Sequence, residues 1–222
     1  ARKGLSYFTL HTKPDYLLGW VHKEICDELD RFLQDVADKK SPRLIITMPP
    51  RSGKSELVSR RFPAFALGRN PDLQIIATSY SSDLSQRFNR DVQRVIDDEQ
   101  YFELFPKTKL NNSRVRTDSR GSYIRTSDLF EIVGHAGAYR SCGVGGGITG
   151  QGADILIIDD PIKDRAQAAS KTIRDSIWDW YTSTAYTRLS PGGGVIVMAT
   201  RWHTDDLIGR LIQRMGEGDT FR

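Results

Sequence analysis

The chain has 222 residues, of which 38% are hydrophobic and 27% charged, a balance typical of a folded globular protein and not of a disordered one. It carries 32 Lys and Arg against 28 Asp and Glu, and this net charge of +4 is only weak evidence for a nucleic-acid partner. No apolar stretch approaches the roughly 18 residues that a membrane-spanning helix needs. Cys26 and Cys142 are too few for a disulfide framework, so we expect free thiols in a reducing, intracellular setting.

The first part of the chain alternates predicted helices and strands. Apolar residues at helical spacing over 18–37 predict an amphipathic helix. Continuous apolar runs at 44–48 and 73–78 predict buried strands. A helix should follow each strand, one from Lys54 with a stop or kink near Pro63, and one capped by Ser81 or Ser82.

The pattern changes from about residue 107 to residue 153. Residues 123–125 and 129–133 predict the short strands of a hairpin. Basic residues surround this hairpin, and such a stretch either contacts a phosphate backbone or is a solvated face: Lys109, Arg114, Arg116, Arg120 and Arg125. The six glycines of 143–152 predict a flexible loop, which either senses a nucleotide or a neighbouring subunit or is a plain linker.

The last part of the chain returns to alternating elements. Residues 154–160 predict a buried strand that ends in two carboxylates, and a long helix should cover about 167–188. A turn at 191–194, a buried strand at 195–200 and a helix capped by Thr204 complete the series. Alternating strands and helices predict a single α/β domain over 1–222, with a parallel sheet and helices on both faces.

The most informative segment is 44–55, an apolar run that ends in Ser-Gly-Lys-Ser. It predicts a strand, a phosphate-binding loop and the start of a helix, with backbone N–H groups facing the phosphates of a nucleotide. Lys54 would reach the β- and γ-phosphates of ATP, and the Ser55 hydroxyl would bind Mg²⁺. Met48 stands where the complete pattern has a glycine, so a surface turn with a solvated lysine is the alternative. The predicted loop consists of Pro50, Arg51, Ser52, Gly53, Lys54 and Ser55.

Two carboxylates supply the second half of this predicted site. In open α/β sheets ligands bind beyond the carboxyl ends of the strands, where Asp159 and Asp160 stand. Asp159 would hold Mg²⁺ opposite Ser55, and Asp160 would orient or deprotonate the attacking water. The alternative is a pair of solvated acids at a strand end. The wide separation of loop and acids leaves room for another strand–helix unit, which favours a RecA-like (ASCE) P-loop NTPase, in which an extra strand separates the two motif strands.

Four segments together resemble the ATPase domain of the large terminase subunit of tailed bacteriophages: 48–55, 77–81, 149–161 and 199–211. The resemblance implies a Mg²⁺-dependent ATPase that forms a ring on the portal of an empty capsid in the host cytoplasm. This motor pumps double-stranded DNA, with the portal protein and the small terminase subunit as further partners.

The resemblance also implies roles for single residues. Asp159 takes the Walker B position, and Asp160 takes that of the catalytic carboxylate. Thr200 falls at the coupling motif, and Arg51 resembles a loop arginine that contacts phosphate. Trp20 and His22 are candidates for the adenine contact, although many members have Gln where His22 stands. An arginine acting in trans is expected near the acidic strand, with Arg140 and Arg201 as candidates and an ordinary surface salt bridge as the alternative for each.

The family's full subunit carries a second, RNase H-like nuclease domain, and the residues after His203 are too few to form one. We therefore expect this chain to hydrolyse ATP without cutting DNA. The alternatives are another RecA-like DNA-dependent ATPase, a phosphate-loop kinase, or a module that binds nucleotide or DNA without hydrolysis.

Overall fold

The computed structural model describes residues 1–111, 115–118, 121–148, 150, 152–215 and 220–222, with the side chains of 115–118 and 121–122 outside this description. A six-stranded sheet runs in the order β1-β8-β7-β2-β6-β5, and β5 is its antiparallel strand, while β3 and β4 form a separate antiparallel pair. The strands are β1 (Arg43–Thr47), β2 (Gln74–Ser79), β3 (Val115–Asp118), β4 (Gly121–Ile124), β5 (Leu129–Glu131), β6 (Ala138–Gly143), β7 (Ala153–Asp159) and β8 (Leu189–Ala199).

Helices cover both faces of the sheet, so the predicted α/β fold is confirmed. One face packs against α1 (Leu5–Thr12), α2 (Trp20–Ala37), α3 (Phe62–Arg69), α4 (Ser82–Ile96) and α5 (Glu99–Leu104). The other packs against α6 (Arg165–Ala169), α7 (Lys171–Trp180) and α8 (Leu207–Gln213). Strand β7 shows why its sequence is continuously apolar: Ile155 and Ile157 enter the first core, and Leu156 and Ile158 enter the second.

Strand β8 lies between β1 and β7, which is the extra-strand arrangement that the separation of the motifs predicted. Thr47 at the end of β1 pairs with Ala199, and Asp159 at the end of β7 pairs with Met198. The loop after β1, the acids that end β7 and the residues after β8 therefore meet at one edge of the sheet.

The helix after β1 begins at Lys54 and continues past Pro63 to the end of α3. The predicted kink takes the form of a π-helical segment, Glu56–Arg61, in which the N–H of Phe62 donates to the carbonyl of Leu57. Proline lacks a backbone donor and crowds the preceding turn, and the wider turn accommodates it.

Two sequence predictions in the last third are wrong in detail. The helix predicted over 167–188 is broken at Ser170, whose hydroxyl accepts from the N–H of Ile173 and caps α7. A π-helical turn (Tyr181–Ala185) and a 3₁₀ turn (Tyr186–Arg188) follow α7. The last helix is capped by Asp206 and not by Thr204, because the Asp206 carboxylate accepts from the N–H of Gly209 at 2.8 Å.

Two further predictions are only partly right. The predicted turn at 191–194 lies inside β8, where the pairing with β7 is irregular. The predicted hairpin reduces to one bridge between Arg125 and Phe130, because β4 pairs with β3 and β5 pairs with β6. Cys26 and Cys142 are free thiols, as expected. Across the described ranges, no helix has the length and apolarity needed to cross a membrane.

Candidate nucleotide-binding site

A cleft of about 340 Å³ opens where the carboxyl ends of β1, β7 and β8 meet. The whole predicted phosphate loop, residues 50–55, lines this cleft together with Asp160 and Thr200. Tyr80, Arg60 and Lys163 also line it, and sequence reasoning had not singled them out. The glycine-rich loop at 143–152 contributes no described residue to its wall. The fold therefore brings the two predicted halves of the site together.

Lys54 is the centre of this cleft. Its Nζ lies 2.8 Å from Oδ2 of Asp160 and 2.9 Å from Oγ1 of Thr200. The Thr200 hydroxyl donates in turn to the carbonyl of Met48 at 3.1 Å. Only 6% of the Lys54 side chain is exposed, so its charge needs a partner inside the protein, and Asp160 supplies it.

The backbone of Asp160 is held in an unusual conformation. Its φ of 44° lies in the left-handed region, which non-glycine residues seldom adopt. Three hydrogen bonds fix it: its N–H donates to Met198, its carbonyl accepts from the N–H of Tyr80, and its Oδ1 accepts from the N–H of Thr200 at 2.7 Å. Such conformations persist only where the surroundings over-determine them, and here the result is a carboxylate directed at Lys54.

Asp159 is the buried member of the acidic pair, with 2% of the residue exposed. Its Oδ2 accepts from the hydroxyl of Ser59 at 2.5 Å, and its Oδ1 is buried with no hydrogen-bond partner in the described chain. Burial raises the pKa of Asp159 to about 6, and the charge of Asp160 adds to the rise. The hydroxyls of Ser59 and Ser55 and the Lys54 ammonium act in the opposite direction.

These oxygens fit a magnesium ion. Ser55 lines the cleft, and the buried Oδ1 of Asp159 has no hydrogen-bond partner among the described residues. Hydroxyl and carboxylate oxygens are the ligands that Mg²⁺ takes in such sites. Sequence reasoning missed Ser59, although its spacing of four residues from Ser55 on a helix was a signal that both could face Asp159.

Two side chains contact the carbonyls of the phosphate loop, one from just before α2 and one from its first turn. The Tyr16 hydroxyl donates to the carbonyl of Gly53 at 3.3 Å, and Nε2 of His22 lies 2.7 Å from the carbonyl of Ser52. Gly53 has a φ of 82°, and a Cβ there would lie 2.7 Å from the Tyr16 hydroxyl, so only glycine fits. Sequence reasoning missed Tyr16; burial raises its pKa to about 12.

His22 has both ring nitrogens occupied. Because the carbonyl of Ser52 can only accept, Nε2 carries the proton, and Nδ1 accepts from the N–H of Gly19 at 3.1 Å. In this geometry His22 contacts the backbone of the phosphate loop, and neither ring nitrogen is free to hydrogen-bond with an adenine base. Trp20, the other sequence candidate for the adenine contact, is 85% exposed at the first residue of α2.

The predicted arginines are placed differently from one another. Arg51 is exposed, lines the cleft and has a φ of 59°. Arg201 is engaged within its own chain, where its Nε donates to Asp206 at 2.7 Å. Arg140 lies on β6 in register with Ile76 and does not line the cleft. Within one chain, the structure brings Arg51 to the cleft but not Arg140 or Arg201, and both stay predictions for a contact in trans.

A known protein family matches the part of the chain that contains these site residues. The protein-family description "Terminase large subunit, T4likevirus-type, N-terminal" matches residues 45–217. The matched stretch begins in β1 and extends past α8, so it contains the phosphate loop, both acids and Thr200. No curated protein matches the chain.

Among solved structures, the chain is similar to the large terminase of bacteriophage HK97, with 14% identity and a TM-score of 0.58 over 94% of this chain and 40% of that one. The chain thus spans less than half the length of the HK97 protein, and at this identity the likeness shows the fold alone. Weaker likenesses are to the large terminase ATPase domain of Thermus phage P74-26 and a mutant of it, at 18% and 20% identity and TM-scores of 0.44 and 0.43. These cover 76% and 74% of this chain and 63% of each of those chains.

Proposed function

Because the chain belongs to the family of terminase large-subunit N-terminal domains, we propose that its cleft binds ATP with Mg²⁺ and hydrolyses it to drive double-stranded DNA into a viral capsid. One observation carries this proposal more than any other. The buried Lys54, at the N-terminus of the helix after β1, is paired with the Asp160 carboxylate in the same cleft, and the two groups lie 2.8 Å apart. This is the arrangement expected of a phosphate-binding cation beside the group that activates water.

Each residue then has a definite task. The loop N–H groups and the Lys54 ammonium bind the β- and γ-phosphates. Ser55 and Asp159 hold the metal ion, which when bound supplies positive charge that neutralises phosphate oxygens. Asp160 orients the attacking water and accepts its proton. Arg51, at the exposed lip of the loop, contacts phosphate.

The Lys54–Asp160 pair requires that the nucleotide binds before Asp160 can activate water. A triphosphate brings several negative charges to Lys54, which then no longer depends on Asp160 for its counter-charge. The Asp160 carboxylate is thereby released to face a water molecule. Thr200 contacts both partners, through its hydroxyl to Lys54 and its N–H to Asp160, so it is placed to respond to this exchange.

We further propose that several copies of the chain form a ring on the procapsid portal in the host cytoplasm. Double-stranded DNA, the portal protein and the small terminase subunit are the proposed partners. In that ring Arg140 or Arg201 of one copy completes the site of its neighbour. An arginine supplied in this way raises turnover on the order of 10³-fold or more.

The test is steady-state hydrolysis of ATP with Mg²⁺ over a wide range of protein concentration, with Lys54→Ala as the blank. We expect turnover that rises faster than linearly with concentration and is absent from the variant. Nucleotide binding without Lys54-dependent turnover at any concentration would contradict the proposal and support a non-hydrolysing module.

A further inference from the structure

Helix α4 carries three exposed arginines along one stripe: Arg87, Arg90 and Arg94. Their spacing of three and four residues places them on the same side of the helix. Arg94 donates to Asp91 at 2.7 Å, whereas Arg87 and Arg90 make no hydrogen bond or ion pair with any described residue. Within the part of the chain that the structure describes, these two guanidinium groups face solvent without a counter-charge.

The nearby acids do not cancel this charge. Asp91 is shared between Arg60 and Arg94, and Asp97 is paired with Arg125. Asp83, in the first turn of α4, is the remaining exposed acid on the helix. The outer face of α4 thus keeps a positive balance at Arg87 and Arg90.

Two of the five basic residues that the sequence singled out, Lys109 and Arg125, have partners within the chain. Arg125 is held by Asp97 and by the carbonyl of Asn111, and Lys109 lies 5.1 Å from the ring centre of Phe102. Arg114, Arg120 and the side chain of Arg116 lie outside the described residues.

Helix α4 is also tied to the nucleotide cleft. Tyr80, two residues before the helix, lines the cleft, and its N–H donates to the carbonyl of Asp160 at 3.2 Å. Arg60, on the phosphate-loop helix, also lines the cleft and donates to Asp91 at 2.7 Å. Its guanidinium lies 4.8 Å from the ring centre of Phe88. Helix α4 therefore contacts the loop side of the site through Phe88 and Asp91, and Tyr80 connects its N-terminal end to the acid side.

We propose that the Arg87–Arg90–Arg94 stripe of α4 binds the phosphate backbone of duplex DNA. Seven residues of helix span about 10 Å, and arginine binds phosphate oxygens through paired N–H groups, so the stripe suits a sequence-independent contact with successive phosphates. The inference rests on the proposed function for the identity of its partner. It adds the surface, and it places the DNA contact on the helix that touches Arg60 and follows Tyr80.

The test is binding of duplex DNA by the whole chain without nucleotide, measured against salt concentration, for wild type and for the double variant Arg87→Ala/Arg90→Ala. Each lost phosphate contact reduces the slope of log affinity against log salt by about 1, so we expect a reduction of about 2 and at least a tenfold loss of affinity at low salt. The matched control is Lys23→Ala/Arg165→Ala, which removes the same charge from exposed positions on α2 and α6 and should leave the slope unchanged.

Basal ATP hydrolysis without DNA should be unchanged in the double variant, because neither arginine lines the cleft. If wild type binds DNA and the double variant binds it with the same slope, the α4 surface is wrong and the proposed function stands. An equal loss in the control pair would show a general charge effect and would also overturn the inference. If wild type itself shows no salt-dependent DNA binding, the DNA partner of the proposed function fails as well.

Discussion

The two sides of the phosphate loop are built in opposite ways. On the cleft side, here called the phosphate end, Lys54 has 6% of its side chain exposed and is held by Asp160 and Thr200. On the side where α2 begins, here called the α2 end, Trp20 is 85% exposed and Leu17 is 87% exposed, and neither lines the cleft. The phosphate end is assembled from the termini of three strands, whereas the α2 end uses side chains that lie outside the sheet.

Under the proposed function, this difference separates phosphate chemistry from recognition of the nucleotide base. Charges buried at the sheet edge interact strongly, so an arriving phosphate group competes directly with Asp160 for Lys54. An exposed aromatic ring contributes stacking area but little positional precision. His22 and Tyr16 contact the carbonyls of Ser52 and Gly53, so we expect variants of them to act like those of the phosphate end. Variants that act on one end and spare the other therefore test the comparison.

The largest effect is expected from Lys54→Ala. It removes the cation at the phosphates and leaves Asp160 without its partner, so we expect ATP turnover to fall at least about 10³-fold, on the scale seen for a lost transition-state cation. Turnover at saturating ATP is the measurement. The control is Lys163→Ala, which removes an exposed lysine that lines the same cleft and should cost far less.

Asp160→Asn should next affect the stability of the nucleotide-free protein. The buried Lys54 ammonium loses its counter-charge, which costs about 3 kcal/mol in the free energy of unfolding. Added ATP supplies new negative charge, so thermal melting should show a larger ATP-induced rise in Tm for the variant than for wild type. Equal rises would show that Lys54 and Asp160 are not coupled.

A pH effect of similar or smaller size is expected from Asp159. Because burial raises its pKa to about 6, the native state holds the proton more tightly than the unfolded chain does. This contribution is fully present below about pH 4 and is lost as pH rises through 6. Wild type should therefore lose about 2–3 kcal/mol of unfolding free energy between pH 4 and 7 relative to Asp159→Asn. Parallel profiles from denaturant titrations of the two proteins would contradict it.

The smallest effects are expected at the α2 end. If Trp20 stacks on the base, Trp20→Ala should weaken ATP binding about tenfold without changing inorganic tripolyphosphate binding. His22→Ala should weaken both ligands alike, because it loosens the loop carbonyl of Ser52. Titration calorimetry with the two ligands separates the cases, and Leu17→Ala is the exposed neighbour that serves as control. If His22→Ala weakened the binding of ATP but not of tripolyphosphate, His22 would contact the adenine base instead of supporting the loop.

The sequence predicted the sheet, and the edge at which the loop and the acids meet, because buried parallel strands are continuously apolar. The apolar runs of β1, β2, β7 and β8 each fill both cores, and the loop and acids follow directly after them. It did not predict the break at Ser170, because neither glycine nor proline marks it. Thr204 and Asp206 are both good capping residues, and only the packed helix shows which one caps.

The same limit applies to the site. The sequence indicated that Lys54 and the two acids would come together, because the loop and the acids follow buried strands whose carboxyl ends meet at one edge. Tyr16 and Ser59 were not predicted, because their partners, Gly53 and Asp159, are distant in sequence and are brought close only by the fold. Arg125 could not be told from Arg87 by sequence, since both are arginines in polar surroundings and only their contacts differ.

The most direct test of the account is turnover and nucleotide affinity measured together on Asp160→Asn. Asn keeps the shape of the side chain and its acceptor for the N–H of Thr200, but it cannot take a proton from water. We predict that ATP binds at least as tightly as to wild type while turnover falls about 10²–10⁴-fold, as for the loss of a general base. Hydrolysis at the wild-type rate would contradict the central claim that this pair activates water beside a phosphate-bound Lys54.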